Sequence, residues 1–136
     1  MHQWVCDACP TNLQKRFVEI TTPPMRKQVV NALNSGADVF MADFEDGLSP
    51  TWPNIIGGHH TLIKALKRNL RFYDSDTRKE YSVMAIHSQV FIQPRHLKRE
   101  EHHVLVDNVP ISASIFDVTV YAFHNYSKLI SDKLGN

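Results

Sequence analysis

Three short apolar runs have the length and composition of β-strands, and they lie at 16–20, 39–44 and 90–92. The second run is apolar until its last residues, which is typical of a strand that is covered on both faces. Between these runs, apolar residues recur every three or four positions, which is the spacing of one face of an α-helix. The pattern therefore predicts strands that alternate with helices.

End signals locate three helices in this pattern. Thr22, which two prolines follow, is expected to cap the first helix, and Gly36 stands where that helix should stop. Pro53 is expected to open the second helix, and Ser114 to cap the third. The apolar positions expected on the inner faces of the helices are Met25, Val29, Leu33, Ile55, Leu62, Leu66, Leu70, Phe116, Val120, Phe123 and Leu129.

Two further stretches resemble exposed β-hairpins. One covers 71–83 with a polar turn at 74–76, and the other covers 103–111 with a turn at Asp107 and Asn108. The complete order of elements predicts an α/β fold with a parallel sheet. A doubly wound sheet and a (β/α) barrel both have this order, and in both the chemistry gathers at the carboxyl ends of the strands.

Composition limits the classes of partner. The chain of 136 residues has 15 basic and 14 acidic side chains, for a net charge of +1, and 43% of its residues are hydrophobic. This balance predicts a globular protein with neither nucleic acid nor a membrane as a partner. Residues 1–12 are expected to be a poorly ordered N-terminal segment before a domain at 13–136. No apolar leader is visible, so we expect the cytosol or an organelle matrix.

Cysteines and histidines offer weak signals for chemistry. Cys6 and Cys9 could form a redox pair or half of a zinc site, but no strand pattern precedes them and no second CxxC follows. We therefore expect ordinary thiols. The pairs His59–His60 and His102–His103 join neighbouring residues, whose side chains should point apart, and solvent exposure is the simpler interpretation of them.

The buried strand at 39–44 ends in three acids among four residues, Asp43, Glu45 and Asp46. At the carboxyl end of a strand they could bind a divalent cation, orient metal-bound water, or act as a general acid or base. They could also simply cap the following turn and helix. Neighbouring side chains diverge in extended backbone, so at most two of the three are expected to share one site.

Two long motifs carry a resemblance to a known family. VEIT with RKQVVNALNSGADVFMADFEDGLSPTWPN, and later HVLVDNVPISASIFDVTVYAFHN, resemble corresponding motifs of malate synthases of the shorter A type. The similarity extends from Val18 to about Leu129. It implies a TIM barrel of which this chain supplies the N-terminal part, about three of eight βα units with hairpin insertions.

The resemblance also implies a reaction of the glyoxylate cycle. Malate synthases condense glyoxylate with acetyl-CoA and water to give malate and CoA. Mg²⁺ polarises the aldehyde of glyoxylate, an aspartate removes a methyl proton, and an arginine stabilises the enolate oxygen. Members of the family occur in the cytosol and in peroxisomal (glyoxysomal) organelles.

Carried over by position, the resemblance assigns a few roles. Glu45 and Asp46 would lie beside the metal and its waters without binding it directly. Gln93 falls where the family has its catalytic arginine, although the register leaves Arg95 as the alternative. The metal ligands and the proton-abstracting aspartate would lie on later strands, so no metal ligand is assigned within this chain, and we do not expect it to bind Mg²⁺ alone.

Departures from the family motifs leave three hypotheses open. Thr22, the stretch 58–61 and Ala113 differ from the family pattern, and Gln93 lacks the charge that faces an enolate. The chain could be part of an active malate synthase, or a truncated, non-catalytic remnant. The third hypothesis is an independent metal-binding or interaction module that uses the histidines and the acidic loop.

Overall fold

A computed structural model describes residues 4–84 and 88–134. In chain order the elements are a 3₁₀ turn at Thr11–Leu13, β1 (Glu19–Thr22), α1 (Arg26–Leu33), β2 (Val39–Asp43), α2 (Trp52–Leu66), β3 (Arg71–Asp74), β4 (Lys79–Ser82), β5 (Gln89–Gln93), β6 (Glu100–Val106), β7 (Val109–Ser112) and α3 (Ala113–Leu134). The predicted α/β class is confirmed. No helix in these two ranges is long and apolar enough to cross a membrane.

The central sheet has three parallel strands in the order β1-β2-β5. Ile20 is opposite Phe40, which is opposite Val90, and Asp43 is opposite Gln93 at the carboxyl edge. The middle strand, β2, is almost completely buried, which confirms the interpretation of its continuous apolar run. Because all three strands run in one direction, their last residues meet at one edge of the sheet.

An apolar core lies between this sheet and the helices. Its largest fully buried apolar side chains are Phe40, Phe44, Leu33, Ile55, Leu62 and Leu70. Burying one such side chain contributes about 1.5–3 kcal/mol relative to leaving it in water. The core therefore fixes α1 and α2 against β2, and with them the loop that follows β2.

The first helix begins later than predicted, and the prediction that Thr22 caps it is wrong. Thr22 is the last residue of β1, and α1 follows an extended Met25 that makes no side-chain capping bond. Residues before proline prefer extended backbone, so the two prolines after Thr22 keep the chain out of helical geometry. Gly36 has a φ of +80°, as expected for the turn that follows the helix.

The start of β1 and the end of α2 also differ from the prediction. Phe17, predicted to lie in the first strand, is outside β1 and 81% exposed. Leu70 is buried as predicted but lies beyond α2. That helix ends at Leu66, because Arg68 adopts a φ of 57° and its N–H donates to the carbonyl of Ala65. Pro53 lies in the first turn of α2, as expected.

In the third helix two predictions are wrong. α3 begins at Ala113, so Ser114 lies in its first turn and does not cap it. The hairpin runs directly into the helix, and the N–H of Ala113 donates to the carbonyl of Arg99 instead. Phe123 is 77% exposed, whereas Phe116 is buried. Periodicity identifies a helix face but not how far along the helix other elements cover it.

Both predicted hairpins are present, as β3–β4 and β6–β7. Lys27 of α1 binds the carboxylate of Asp74 at 3.1 Å, and the side chain of Asn34 donates to the carbonyl of Ser82. These contacts hold the first hairpin against α1. In the second hairpin Asp107 and Asn108 both have positive φ, which two-residue hairpin turns of type I′ require.

Candidate functional site

The loops that follow β2 and β5 lie side by side at the carboxyl edge of the sheet. The N–H of Phe44 donates to the carbonyl of Gln93 at 3.0 Å, and the N–H of His96 donates to Oε2 of Glu45 at 2.7 Å. The structure thus brings the acidic segment after β2 next to the segment that contains Gln93 and Arg95. This edge is where parallel α/β folds carry their chemistry.

Asp43 serves the backbone of its own loop. Asp43 is 7% exposed, and its carboxylate accepts hydrogen bonds from the N–H groups of Glu45 at 2.9 Å, Asp46 at 3.0 Å and Gly47 at 3.1 Å. Of the roles considered for the three acids, Asp43 therefore has that of capping the turn. The bonds fix the direction in which the loop carries Glu45 and Asp46.

Glu45 and Asp46 have different surroundings. The side chain of Glu45 is 19% exposed, and its Oε1 lies 4.0 Å from a guanidinium nitrogen of Arg99. Asp46 is exposed. Glu45 is therefore held against the loop after β5, whereas Asp46 faces solvent.

Gln93 and Arg95 also differ sharply. Gln93 is the last residue of β5 and is exposed at the carboxyl edge. Arg95 is only 2% exposed. A side chain that meets a substrate must be reachable from the rim of the sheet, and of these two residues Gln93 is the one that meets this condition.

Arg95 is enclosed by two carboxylates. Its Nε donates to Oδ2 of Asp117 at 3.0 Å and its Nη2 to Oδ1 of Asp117 at 2.9 Å, in a bidentate pair. Its Nη1 donates to Oε2 of Glu101 at 2.8 Å. The N–H of Arg95 also donates to Oδ2 of Asp117, at 3.0 Å. We call Arg95, Asp117 and Glu101 the buried triad.

Two histidines extend the buried triad. Nε2 of His59 lies 3.4 Å from Oδ1 of Asp117, and the His59 ring stacks on Phe44 with centroids 4.5 Å apart. Nδ1 of His103 lies 2.7 Å from Oε1 of Glu101, and its ring stacks on Trp52 at 4.8 Å. His59 is 3% exposed, so the interpretation of all the histidines as solvated is wrong for this one.

Hydrogen bonds keep the two acids of the buried triad ionised. Burial by itself raises the pKa of Asp117, but hydrogen bonds from His59 and Arg95 outweigh it and leave that pKa below its ordinary value of 3.8. Burial likewise acts to raise the pKa of Glu101, and hydrogen bonds from Arg95 and His103 bring it below the ordinary 4.5. Both carboxyl groups are therefore ionised at neutral pH.

Sequence reasoning named Arg95 but missed its two acid partners. Glu101 is the one buried residue of the largely exposed strand β6, and Asp117 lies in a helix among apolar residues. The usable signal was an acid at an otherwise apolar helix position, since a buried charge requires a partner. Which arginine or lysine supplies that partner depends on how β5 and α3 approach each other.

The residues at this edge do not by themselves fit a divalent cation. In residues 4–84 and 88–134, no group of three or more His, Cys, Asp or Glu side chains could hold a metal ion. Both oxygens of Asp43 already accept backbone N–H groups, and one oxygen of Glu45 accepts the N–H of His96. No chemical step through a metal is derived from this chain.

The two cysteines lie apart from this site. Cys6 and Cys9 are free thiols, both exposed, in a stretch before the 3₁₀ turn that forms neither helix nor strand. The side chain of Gln14 donates to the carbonyl of Cys9 at 3.2 Å.

Comparison with known proteins gives a consistent result. No protein-family model matches the chain. It is 45% identical over 132 residues to a bifunctional glyoxylate cycle protein of Caenorhabditis elegans. That alignment covers 97% of the chain and 14% of the relative. Identity to malate synthase is 42% over 125 residues in Arabidopsis thaliana and 43% over 132 residues in Myxococcus xanthus (strain DK1622).

The matches extend over most of this chain but over a small part of each relative. The Arabidopsis and Myxococcus alignments cover 92% and 97% of the chain, and 22% and 24% of those malate synthases. The residues that carry the resemblance, including the segments around Glu45 and Gln93, therefore lie within a stretch of common ancestry. The chain is similar to malate synthases over most of its own length and spans about a quarter or less of theirs.

Proposed function

We propose that the chain is part of a TIM barrel, in which it supplies about three of eight strand–helix units. The strand order β1-β2-β5 follows the chain without reversal, as neighbouring strands of a barrel do. α1 packs against α2, and α2 packs against α3, as consecutive helices do around the outside of a barrel. One half of a doubly wound sheet has the same strand order, so the choice of a barrel is supported by the similarity to malate synthases.

The activity we propose for the complete protein is that of a malate synthase. In that reaction glyoxylate and acetyl-CoA condense with water to give malate and CoA, in the glyoxylate cycle. The supporting observation is the kinship over 92–97% of the chain, together with a carboxyl edge that brings Glu45 next to the β5 loop. Four relatives are named glyoxysomal malate synthases, which supports a glyoxysomal, that is peroxisomal, setting as one alternative to the cytosol.

Within this activity the carboxyl edge supplies one rim of the site. Glu45 and Asp46 would stand beside the substrate, with Glu45 held by the N–H of His96 and by Arg99. Gln93 would face the enolate oxygen as a neutral hydrogen-bond donor. Mg²⁺, which polarises the aldehyde when it is bound in the family, would need ligands from outside the described residues.

A non-catalytic protein is the second candidate, and Gln93 is the observation that favours it. Removing one donor that faces a developing oxyanion costs about 10²–10³ in rate, and in a water-excluded site a charged donor is worth more than a neutral one. Glutamine lacks that charge, and the buried Arg95 cannot supply it without breaking its hydrogen bonds to Asp117 and Glu101. A protein that kept the fold but lost this charge would catalyse poorly.

A graft tests the proposed function. Residues 18–129 would replace the homologous segment of an active malate synthase, with Gln93 either kept or changed to Arg. We expect the Gln93→Arg graft to release CoA about 10²-fold faster than the Gln93 graft or more, since it restores the charge. Two equally active grafts would contradict the role given to Gln93, and inactivity of both grafts would count against the proposed activity.

A further inference from the structure

Consecutive peptide groups after β5 are bound by acids from two different elements. The N–H of Arg95 donates to Asp117 of α3 at 3.0 Å, and the N–H of His96 donates to Glu45 of the β2 loop at 2.7 Å. The carbonyl of Gln93 accepts the N–H of Phe44 in the same region. The backbone that leaves β5 is therefore fixed on its α3 side and on its β2 side.

The side chain of Arg95 reinforces this arrangement. All three of its guanidinium nitrogens are bound, two to Asp117 and one to Glu101. Asp117 binds both the side chain and the N–H of Arg95. Movement of the guanidinium and movement of the Pro94–Arg95 peptide are therefore coupled. A planar guanidinium satisfies this geometry, whereas an ammonium group provides only a point charge.

Stability alone does not account for three buried charged groups. Replacing a buried ion triad by apolar side chains of similar volume is often neutral or stabilising, because desolvation of the charges offsets their attraction. Apolar side chains would not fix the orientation of the backbone at Arg95, since they cannot accept a hydrogen bond from its N–H. The geometry therefore gives the triad a directional role.

We propose that Arg95 is a positioning residue: with Asp117 and Glu101 it fixes the Pro94–Arg95 peptide and its own side chain, and so orients the next peptide, whose His96 N–H donates to Glu45. Its effect on substrate is indirect, because the group it orients is the carboxylate of Glu45 at the carboxyl edge. That functional consequence rests on the proposed function. The structural relationship itself does not, and it is testable in the 136-residue chain.

The test measures coupling between Glu45 and His96 by NMR of the ¹⁵N-labelled chain. In the wild type, Glu45→Gln removes a charged acceptor and should move the His96 amide proton upfield and speed its exchange about tenfold. In the triple variant Arg95→Met/Glu101→Leu/Asp117→Leu, the same Glu45→Gln change should have little effect on either quantity. Circular dichroism establishes that each variant is folded.

Two further variants sharpen the result. Arg95→Lys keeps the charge but loses the bidentate pair, and it should also weaken the coupling. Arg99→Met removes the exposed cation 4.0 Å from Glu45 and should leave the coupling intact. Full coupling in a folded triple variant or in Arg95→Lys would overturn the proposal.

Loss of the fold in both the triple variant and Arg95→Lys would also overturn it, since the triad would then hold the fold together and not orient a peptide. No turnover is measured, so inactivity of the grafted enzyme would leave these results unchanged. The two proposals therefore fail independently of each other.

Discussion

Gly58 of α2 lies so close to Phe44 that a Cβ on Gly58 would be 2.9 Å from Cε1 of the ring, and 2.8 Å from Cγ of Pro24. Phe44 is fully buried and is the residue through which the chain leaves β2 toward Glu45. The absence of a side chain at position 58 therefore permits the close approach of α2 to the loop that carries the acids.

Substituting the two neighbouring glycines should accordingly have opposite effects. We expect Gly58→Ala to lower the free energy of unfolding by about 1–3 kcal/mol through overpacking against Pro24 and Phe44. Gly57→Ala is the matched control, because its Cβ would meet nothing within 4 Å in the same helix. Alanine should raise stability there by up to about 1 kcal/mol. Urea denaturation measures both, and equal effects would contradict the packing argument.

Tyr121 carries a buried hydroxyl that has no hydrogen-bond partner among the described residues, and burial raises its pKa to about 12. Leaving such a group unpaired costs about 1–3 kcal/mol. Tyr121→Phe should therefore stabilise the chain, by about 1 kcal/mol. Tyr126→Phe, at a residue that is 63% exposed, should change the unfolding free energy by less than about 0.5 kcal/mol. A destabilised Tyr121→Phe would mean that the hydroxyl is bonded in solution.

Acid should weaken the fold through the buried triad. Folding lowers the pKa of Glu101 and of Asp117 below their ordinary values of 4.5 and 3.8. A group with a lowered pKa contributes stability that is present above its unfolded pKa and is lost as the pH falls through its folded pKa. Stability should therefore decline as the pH is lowered below about 4.5.

The variant Arg95→Met/Glu101→Leu/Asp117→Leu provides the control for this pH dependence. Urea denaturation at several pH values should give a shallower acid slope for it than for the wild type. Other groups remain in both proteins, including Asp74, whose pKa is lowered by the Thr77 N–H and by Lys27. Identical slopes would show that protonation of the triad is not coupled to unfolding.

The turn of the second hairpin offers another test. Asn108 has a φ of 63°, a region that glycine adopts without steric cost, and it follows Asp107, which has a φ of 51°. Asn108→Gly should raise stability by a few tenths to about 1 kcal/mol. Val109→Gly, in the adjoining strand, should lower it. A calorimetric melt of both variants gives the comparison.

Turnover by the 136 residues alone should be undetectable. The resemblance places the proton-abstracting aspartate and the metal ligands on later strands of the family's barrel. Gln93, for its part, offers no charge to an enolate. A thiol-trapping assay with acetyl-CoA and glyoxylate should therefore detect no CoA above background. The matched comparison is the Gln93→Arg chain, which should be equally inactive on its own. CoA release from either chain would show that these residues form a sufficient site.

Several features of the fold were predictable because they depend on local pattern. The continuous apolar run identified β2 as a buried central strand, and the Asp107–Asn108 turn identified the second hairpin. Helix boundaries were less predictable. The two prolines after Thr22 outweighed its tendency to cap, and the direct passage from β7 into α3 left Ser114 inside the helix.

The candidate site was predictable in part for the same reason. Acids placed directly after a buried parallel strand must lie at the carboxyl edge, so the positions of Glu45 and Asp46 followed from the order of the elements. The pairing of Glu45 with the N–H of His96 did not follow, because it depends on the conformation of a loop about 50 residues away in sequence.

The sequence by itself determined the class of fold, the buried middle strand and the kinship with malate synthases, since periodicity and motifs are written along the chain. Only the tertiary structure decided that Arg95 is enclosed by Asp117 and Glu101 while Gln93 is exposed. The physical reason is that a charge is buried or exposed according to what distant elements bring to it. Gln93 and Arg95 are only two residues apart, but their surroundings are opposite because α3 and β6 cover Arg95 and leave Gln93 exposed.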